Sequence, residues 1–228
     1  MPEETSAVGR PGRKRRPAAP HDVQLPSGRH GLSPRFVADN QRDRIVEALV
    51  DVVFSLGYPA ASVERVSARA GVSRRTFYEQ FDGKEDAFVR TCDDAAARLY
   101  ARVDAARATG TTASEQLHAG LAALLDGLAR KPRVAHMCVV GILSAGPAAI
   151  ERRDAHNAGF ARLLEEIARG QGGAPLPPLT AEGIVGAVHD VVYKRIAAGE
   201  TSTLPALLDD LHGFCTLLFG QATDPRRA

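Results

Sequence analysis

The sequence predicts an all-α protein with a small N-terminal helical domain and a larger C-terminal helical domain. Three observations support this prediction. The 228-residue chain is rich in Ala and Leu, has no Trp, and only 5% of its residues are aromatic. Apolar residues recur at intervals of three and four, as in amphipathic helices. Glycine and proline interrupt this periodicity repeatedly, so they mark the ends of the expected helices.

Composition excludes several classes of protein. Hydrophobic residues make up 44% of the chain and charged residues 25%, as in an ordinary globular protein. The most apolar run, residues 134–150, is too short and too often interrupted by polar residues to span a bilayer. No apolar signal segment is visible near the first residue. The three cysteines are widely separated, so we expect no disulfide framework and a cytoplasmic location.

The N-terminal arm, residues 1–39, carries most of the basic excess. Residues 1–40 contain seven Lys or Arg against four Asp or Glu, whereas residues 41–90 are balanced. The arm is interrupted by Pro and Gly and cannot bury a core, so we expect it to be disordered by itself. Its cations either neutralise phosphates or only keep the chain soluble. The candidate phosphate-binding residues are Arg13, Lys14, Arg15 and Arg16.

Residues 40–88 predict three short helices and the start of a fourth. The first helix runs from Asn40 to its stop at Gly57. The second begins after Ser62 and the third after Ser73, because serine is a favourable N-cap residue. Gly71 lies between these two helices and tolerates the positive φ of a tight turn. The order of helix, glycine turn and helix is the helix-turn-helix pattern.

The third helix is suited to contact DNA. Phe77 must face the core, and at about 100° per residue Arg75 and Glu79 then lie on the opposite side. Arginine forms bidentate hydrogen bonds with guanine, and hydroxyl groups bond bases or phosphates. The fourth helix is predicted to begin with a capping box formed by Asp82 and Glu85. The candidate DNA-binding residues of this region are Ser62, Ser73, Arg74, Arg75, Thr76, Tyr78 and Lys84.

Three motifs follow one another in this region: Gly57-Tyr58-Pro59-Ala60-Ala61-Ser62-Val63, Ala70-Gly71-Val72-Ser73-Arg74-Arg75-Thr76-Phe77-Tyr78 and Phe81-Asp82-Gly83-Lys84-Glu85. Over residues 41–88 the chain resembles the DNA-binding domain of the TetR family of transcriptional regulators. It departs from the family at Arg65, where an acidic residue is usual, so the capping box of the second helix is absent. It also departs at Arg75, where a small residue is common, which suggests an additional side chain for contacting bases or phosphates.

The resemblance implies a ligand-responsive transcriptional regulator, a repressor that a small molecule releases from a pseudo-palindromic operator. The expected domains are the arm at 1–39, a helix-turn-helix DNA-binding domain at 40–88 and an effector-binding and dimerisation domain at 89–228. The implied partners are double-stranded operator DNA, a small-molecule effector and a second copy of the chain. No membrane partner, cofactor or metal is expected.

The C-terminal region is predicted to contain helices at 84–108, 114–130, 132–145, 147–169, 180–198 and 204–220. The last two carry wide apolar stripes, and residues 186–200 resemble the penultimate, dimerising helix of the family. These stripes either form a dimer interface or pack within their own chain. The candidate dimerisation residues are Val188, Val192, Leu211 and Leu218. Polar and aromatic residues on the apolar helices are typical of small-molecule pockets, and the candidates are Met137, His156, Phe160 and Tyr193.

Catalytic motifs are not evident in the sequence. It contains no Gly-x-Ser-x-Gly elbow, phosphate-binding glycine loop, His-Glu-x-x-His or Cys-x-x-Cys. We therefore do not expect an enzyme. The alternative to a regulator is an all-α small-molecule-binding or interaction protein whose N-terminal bundle is structural. The basic arm and the polar face of the third helix favour the regulator.

Overall fold

The computed structural model describes residues 33–170 and 175–222, which form nine α-helices and two short 3-10 helices without any strand. The α-helices are α1 Pro34–Leu56, α2 Val63–Ala70, α3 Arg74–Gln80, α4 Lys84–Arg107, α5 Ala113–Ala129, α6 Pro132–Val139, α7 Pro147–Gly170, α8 Thr180–Ala197 and α9 Leu208–Ala222. The 3-10 helices are Gly141–Ser144 and Thr201–Leu207. The predicted fold class, an N-terminal helix-turn-helix domain followed by a larger helical domain, is confirmed.

Helix α1 begins at Pro34, before the predicted start at Asn40. Ser33 caps it by accepting a hydrogen bond from the Phe36 amide at 3.2 Å, and proline is favourable in the first turn of a helix. The prediction that the disordered arm extends to residue 39 is therefore wrong for residues 34–39. The basic residues Arg13, Lys14, Arg15 and Arg16 lie outside the described residues.

Helix α2 of the helix-turn-helix segment has the predicted caps at both ends. The Ser62 hydroxyl accepts a hydrogen bond from the Arg65 amide at 3.2 Å, and Gly71 has a φ of 64° at the end of α2. Asp82, in contrast, does not cap α4. The N-cap residue is Gly83, and the Asp82 amide donates to the Asp86 carboxylate at 3.0 Å. The predicted capping box is wrong because the helix begins one residue later than that motif requires.

The N-terminal core joins α1–α4 to α6. Phe77, Phe81 and Phe88 are almost fully buried at its centre, together with Ile45 and Leu49. Helix α6 and the 3-10 helix after it also contribute to this core, through buried apolar side chains. The helix-turn-helix segment is thus fixed to part of the C-terminal region by shared packing, and α4 runs without a break across the predicted boundary at residue 88.

The C-terminal core lies among α5, α7, α8 and α9. Helix α5 packs closely on α4 at Gly127. A Cβ atom at this position would lie only 2.6 Å from Leu99 Cδ1. A glycine at this position lets the two helix backbones approach each other. None of the helices in the described ranges is long and apolar enough to cross a membrane.

Asp51 on α1 connects three helices. Its carboxylate accepts hydrogen bonds from Arg69 on α2, at 2.6 Å, and from Arg133 on α6. Burial would raise the pKa of Asp51, but these two hydrogen bonds and charges outweigh it and hold the pKa below its usual value. The folded state is therefore stabilised by the ionised form of this carboxyl group.

We expect Asp51→Asn to lower the free energy of unfolding by about 1 kcal/mol at pH 7, since both arginines are largely exposed. The stabilisation exists above the unfolded pKa of about 3.9 and is lost as the pH falls through the lower folded pKa. Urea unfolding of both proteins between pH 7 and pH 3 measures the difference, which should close only at the acidic end. Glu165→Gln, which removes an exposed pair with Arg169, is the matched control. A difference that does not change with pH would contradict this account.

Candidate nucleic-acid interface and ligand cavity

Helix α3 presents one polar face to solvent. Phe77 is fully buried beneath it, whereas the Arg75 side chain is 89% exposed. Arg74 and Tyr78 are also exposed. Arg75 Nε donates to Glu79 Oε1 at 3.0 Å, one turn along the helix. The predicted orientation of α3 is therefore correct.

The beginning of α3 is held by hydroxyl groups. Ser73 Oγ accepts a hydrogen bond from the Thr76 amide at 3.0 Å and lies 2.9 Å from Thr76 Oγ1. Ser73 is therefore the N-cap of this helix, and both hydroxyls are already engaged within the chain. Ser62 likewise caps α2. The structure thus gives these predicted DNA-contact residues a local structural role, and their contact with DNA stays a prediction.

Lys84 is half-buried at the start of α4 and contacts Tyr58. Its Nζ donates to the Tyr58 carbonyl oxygen at 3.1 Å and lies 4.1 Å from the centre of the Tyr58 ring. The ammonium group has three donors, so a phosphate can still be bound. Tyr58 in turn packs edge-on against Phe88 at 4.9 Å. These contacts connect the start of α4 firmly to the N-terminal core.

Arg44 on α1 supports the turn between α2 and α3. Its guanidinium donates to the carbonyl oxygens of Ala70 and Gly71. A Cβ at Gly71 would lie 2.7 Å from Arg44 Nη2, so the close approach and the positive φ both favour glycine here. The sequence reasoning missed Arg44, because nothing local indicates that this arginine reaches the turn.

The C-terminal region contains a cavity of about 440 Å³ among α4–α9. Most of its wall is apolar and comes from leucines of α4, α5 and α7 and from valines and isoleucine of α8. Size and lining are those of a small-molecule site. The residues that line this cavity are dispersed along the chain, and only the tertiary packing of the helices brings them together.

Polar side chains interrupt the apolar wall near His156 and His189. His156 Nε2 lies 2.9 Å from Asp93 Oδ1, and Arg152 Nε donates to the other oxygen of Asp93 at 3.1 Å. His189 also lines the cavity, and burial, followed by the charge of Arg153, lowers the pKa of its imidazole. His189 is therefore neutral near pH 7 and can accept or donate a hydrogen bond.

Four cations form a basic cluster at the cavity: Arg98 and Arg102 on α4, with Arg130 and Lys131 between α5 and α6. Arg102 and Arg130 share the Asp126 carboxylate at 3.2 and 2.9 Å. Arg98 and Lys131 are exposed and have no ion-pair partner in the described part of the chain. The cluster therefore carries more positive than negative charge and is suited to an anionic group.

Two of the four predicted ligand-binding residues line the cavity, and two do not. His156 and Phe160 line the cavity. Met137 does not, because it is fully buried in the N-terminal core, and Tyr193 does not because α8 turns other residues towards the interior. Met137 and Tyr193, which were predicted to bind the ligand, therefore do not line this cavity, since the apolar pattern gives the spacing of a stripe but not the core that it faces.

The predicted dimerisation residues mostly face their own chain. Val188, Val192 and Leu211 are buried in the C-terminal core, and the two valines line the cavity. These three residues therefore pack within their own chain, and their part in a dimer interface stays a prediction. Leu218 is half-buried and packs against the same core. The alternative left open by the sequence, that the stripes pack within the monomer, holds for these residues.

Metal ligands are not clustered in the described ranges. No three His, Cys, Asp or Glu side chains there lie close enough together to hold an ion. The two sites consist instead of a polar helix face and a largely apolar cavity with a basic cluster. Together they define a helix-turn-helix protein with an internal cavity.

Comparison with known proteins agrees with this class. Residues 45–90 match the family model described as bacterial regulatory proteins, tetR family. The transcriptional activator FasR of Mycolicibacterium smegmatis is 28% identical over 101 residues, which span 44% of this chain and 46% of FasR. The match thus covers about half the length of that relative.

Two solved structures resemble the whole fold. The fatty acid degradation regulator FadR from Bacillus halodurans has a TM-score of 0.69 at 22% identity, over 84% of this chain and 97% of that one. FadR from Bacillus subtilis, solved in complex with stearoyl-CoA, has a TM-score of 0.67 at 19% identity, over 76% and 96% of the two chains. Residues 45–90 thus match the tetR family model, and the fold as a whole is similar to that of the two FadR structures.

Proposed function

We propose that this chain is a DNA-binding transcriptional regulator, and not an enzyme, whose affinity for its operator is controlled by a small molecule. The observation that carries the proposal is the exposed face of α3, where Arg74, Arg75 and Tyr78 extend into solvent above the buried Phe77. A helix of this kind enters the major groove, where arginine reads guanine. A bundle with only a structural role has no need of this face. A cytoplasmic location follows from the proposed DNA target.

The proposed effector is an amphiphile with a long apolar chain and an anionic head. The cavity of about 440 Å³ suits the apolar chain, and the basic cluster of Arg98, Arg102, Arg130 and Lys131 suits the anionic head. The structure of Bacillus subtilis FadR holds stearoyl-CoA, a molecule of this type. We therefore propose a long-chain acyl-CoA as the effector class.

Helix α4 is the proposed transmitter of the effector signal. Its first residue, Lys84, contacts Tyr58 beside the helix-turn-helix segment, and its later turns line the cavity from Cys92 to Arg107. An effector shifts the equilibrium only if it binds one arrangement of the helices better than the other. A tilt of α4 would change the separation of two recognition helices in a dimer. We propose repression as the direction of control, with release from DNA when the effector binds.

The proposed dimer interface is the outer face of α8 and α9. Phe214 and Leu217 are exposed there, and Gly183, Gly186 and Gly213 leave open space around their Cβ positions. Small residues and exposed apolar side chains allow two pairs of helices to pack closely. Proteins with a helix-turn-helix commonly bind pseudo-palindromic sites as two-fold dimers, which supports this assignment.

We expect Leu217→Glu to convert a dimer into a folded monomer, because the 60% exposed Leu217 does not hold its own core together. Sedimentation at micromolar concentration measures the mass, and circular dichroism measures retained helix. Leu143→Glu, at another exposed leucine outside α8 and α9, is the matched control and should stay dimeric. A wild-type chain that sediments as a monomer would contradict the proposed interface.

The experiment that tests the function is selection of duplexes by the full chain from a random-sequence library. The proposal expects enrichment of a pseudo-palindrome with half-sites about 10 base pairs apart, or a small multiple of that spacing. A reporter carrying the selected site then measures the direction of control. No enriched sequence after repeated rounds at low salt would reject the regulator and favour the alternative, a ligand-binding or interaction protein.

A further inference from the structure

All three cysteines of the chain line the same cavity, although they are far apart in sequence. Cys92 lies on α4, Cys138 on α6 and Cys215 on α9. Cys92 and Cys215 are almost fully buried, whereas Cys138 is half-buried. Nothing in the proposed DNA contact or effector binding requires a thiol. The cavity therefore contains three thiol groups that have no role in the proposed function.

Cys92 and Cys138 lie close enough for their side chains to interact. Both belong to the N-terminal core, and their side chains are joined by a hydrogen bond. That hydrogen bond and then burial raise the pKa of the Cys92 thiol far above its usual value. Cys92 thus remains a protonated donor beside the Cys138 sulfur. Burial alone raises the pKa of Cys215 to about 11.

We propose that Cys92 and Cys138 form an oxidation site, at which an alkyl hydroperoxide in the cavity converts the two thiols into a disulfide linking α4 to α6. The apolar wall determines the class of oxidant, because an alkyl hydroperoxide loses unfavourable water contacts on entering it, whereas hydrogen peroxide gains nothing. Cys138 is the attacking residue, since it is the more accessible of the two. Cys92 is the resolving residue.

The two steps balance without another reactant. The Cys138 sulfur attacks the terminal oxygen of the hydroperoxide, so an S–O bond forms and the O–O bond breaks. The leaving alkoxide takes the Cys138 thiol proton and becomes an alcohol. The Cys92 sulfur then displaces the hydroxyl group of the Cys138 sulfenic acid. A disulfide forms, and the thiol proton of Cys92 leaves with the hydroxyl group as water. Two electrons pass from the sulfurs to the hydroperoxide oxygens.

A disulfide here connects the two helices that join the cavity to the helix-turn-helix segment. Helix α4 holds Tyr58 through Lys84, and α6 holds Asp51 through Arg133. Bonded sulfurs lie about 2 Å apart, closer than sulfurs joined by a hydrogen bond, so the bond draws α4 and α6 together. We expect the oxidised chain to bind DNA at least about fivefold more weakly. This consequence rests on the proposed function, whereas the oxidation itself does not.

The test treats the reduced full chain with stoichiometric cumene hydroperoxide and counts free thiols after denaturation. The expected result is a fall from three thiols to one, with Cys92 and Cys138 in a single cross-linked peptide by mass spectrometry. Hydrogen peroxide at the same concentration should react more slowly. Cys215→Ser is the matched control and should still form the disulfide, whereas Cys92→Ser and Cys138→Ser should not.

Three retained thiols, a cross-link through Cys215 or a cross-link between chains would overturn the oxidation site, and the wild-type measurement decides this even if a serine variant unfolds. The affinities of the oxidised and reduced chains for a selected duplex are then compared. A disulfide that leaves the affinity unchanged would overturn the coupling to DNA. A reduced chain that binds no duplex would reject the proposed function and leave the thiol result standing.

Discussion

Arg75→Ala should weaken binding to the selected operator by about 1–3 kcal/mol, or about 5- to 150-fold. The reason is the position of Arg75, whose side chain is 89% exposed on α3 and free of the core. Its ion pair with Glu79 must open on binding, but an exposed pair of this kind is worth only about 0.3–0.5 kcal/mol. A bidentate contact with guanine outweighs that cost. Titration of wild type and variant against the operator by fluorescence anisotropy measures the effect.

The matched control for Arg75 is Arg169→Ala. Arg169 also pairs with a glutamate one turn away, Glu165, but lies on α7 and should not affect DNA binding. The variant at Arg75 should also lose its preference at one base position while keeping its affinity for random DNA. Equal losses on operator and random DNA would show that Arg75 contacts only phosphate.

Leu121→Trp should abolish the response to an acyl-CoA while preserving the fold. Leu121 lies on α5 and lines the cavity, so the larger side chain occupies space that is otherwise empty. We expect stearoyl-CoA to weaken operator binding by wild type about 5- to 150-fold and to leave binding by the variant unchanged. Operator affinity without the ligand should be equal for the two proteins. Anisotropy titrations with and without stearoyl-CoA measure both quantities.

Leu204→Trp is the matched control for the cavity. Leu204 is fully buried in the C-terminal core but does not line the cavity. The larger side chain there has no space, so overpacking should lower the free energy of unfolding by about 1–3 kcal/mol. Stability similar to wild type in the Leu204 variant, or a retained response in the Leu121 variant, would contradict this placement of the effector.

Much of the fold could be predicted from the sequence because its signals are local. Serine caps and glycine stops at Ser62, Ser73, Gly57 and Gly71 define the helix-turn-helix segment. The same rules predicted the start of α1 too late, because Ser33 lies within a polar region and lacks the apolar periodicity that follows Asn40. Local signals therefore predict the helices better than their first residues.

The cavity and the interfaces could be predicted only in part, because they depend on how helices pack. The apolar stripe containing Val188 and Val192 was visible, but periodicity does not distinguish the chain's own core from a partner. Met137 has a similar local pattern to the cavity residues and still faces the other core. Contacts between distant residues, such as Cys92 with Cys138, leave no trace in a single sequence.

In the proposed function, the chain recognises a specific DNA sequence through α3. The most direct measurement is the affinity of the full chain for the selected duplex and for a scrambled duplex of equal length and composition, at two salt concentrations. The account predicts at least about 10³-fold tighter binding to the selected duplex, with both affinities falling as salt rises. Equal affinity for the two duplexes, or no binding at low salt, would contradict it.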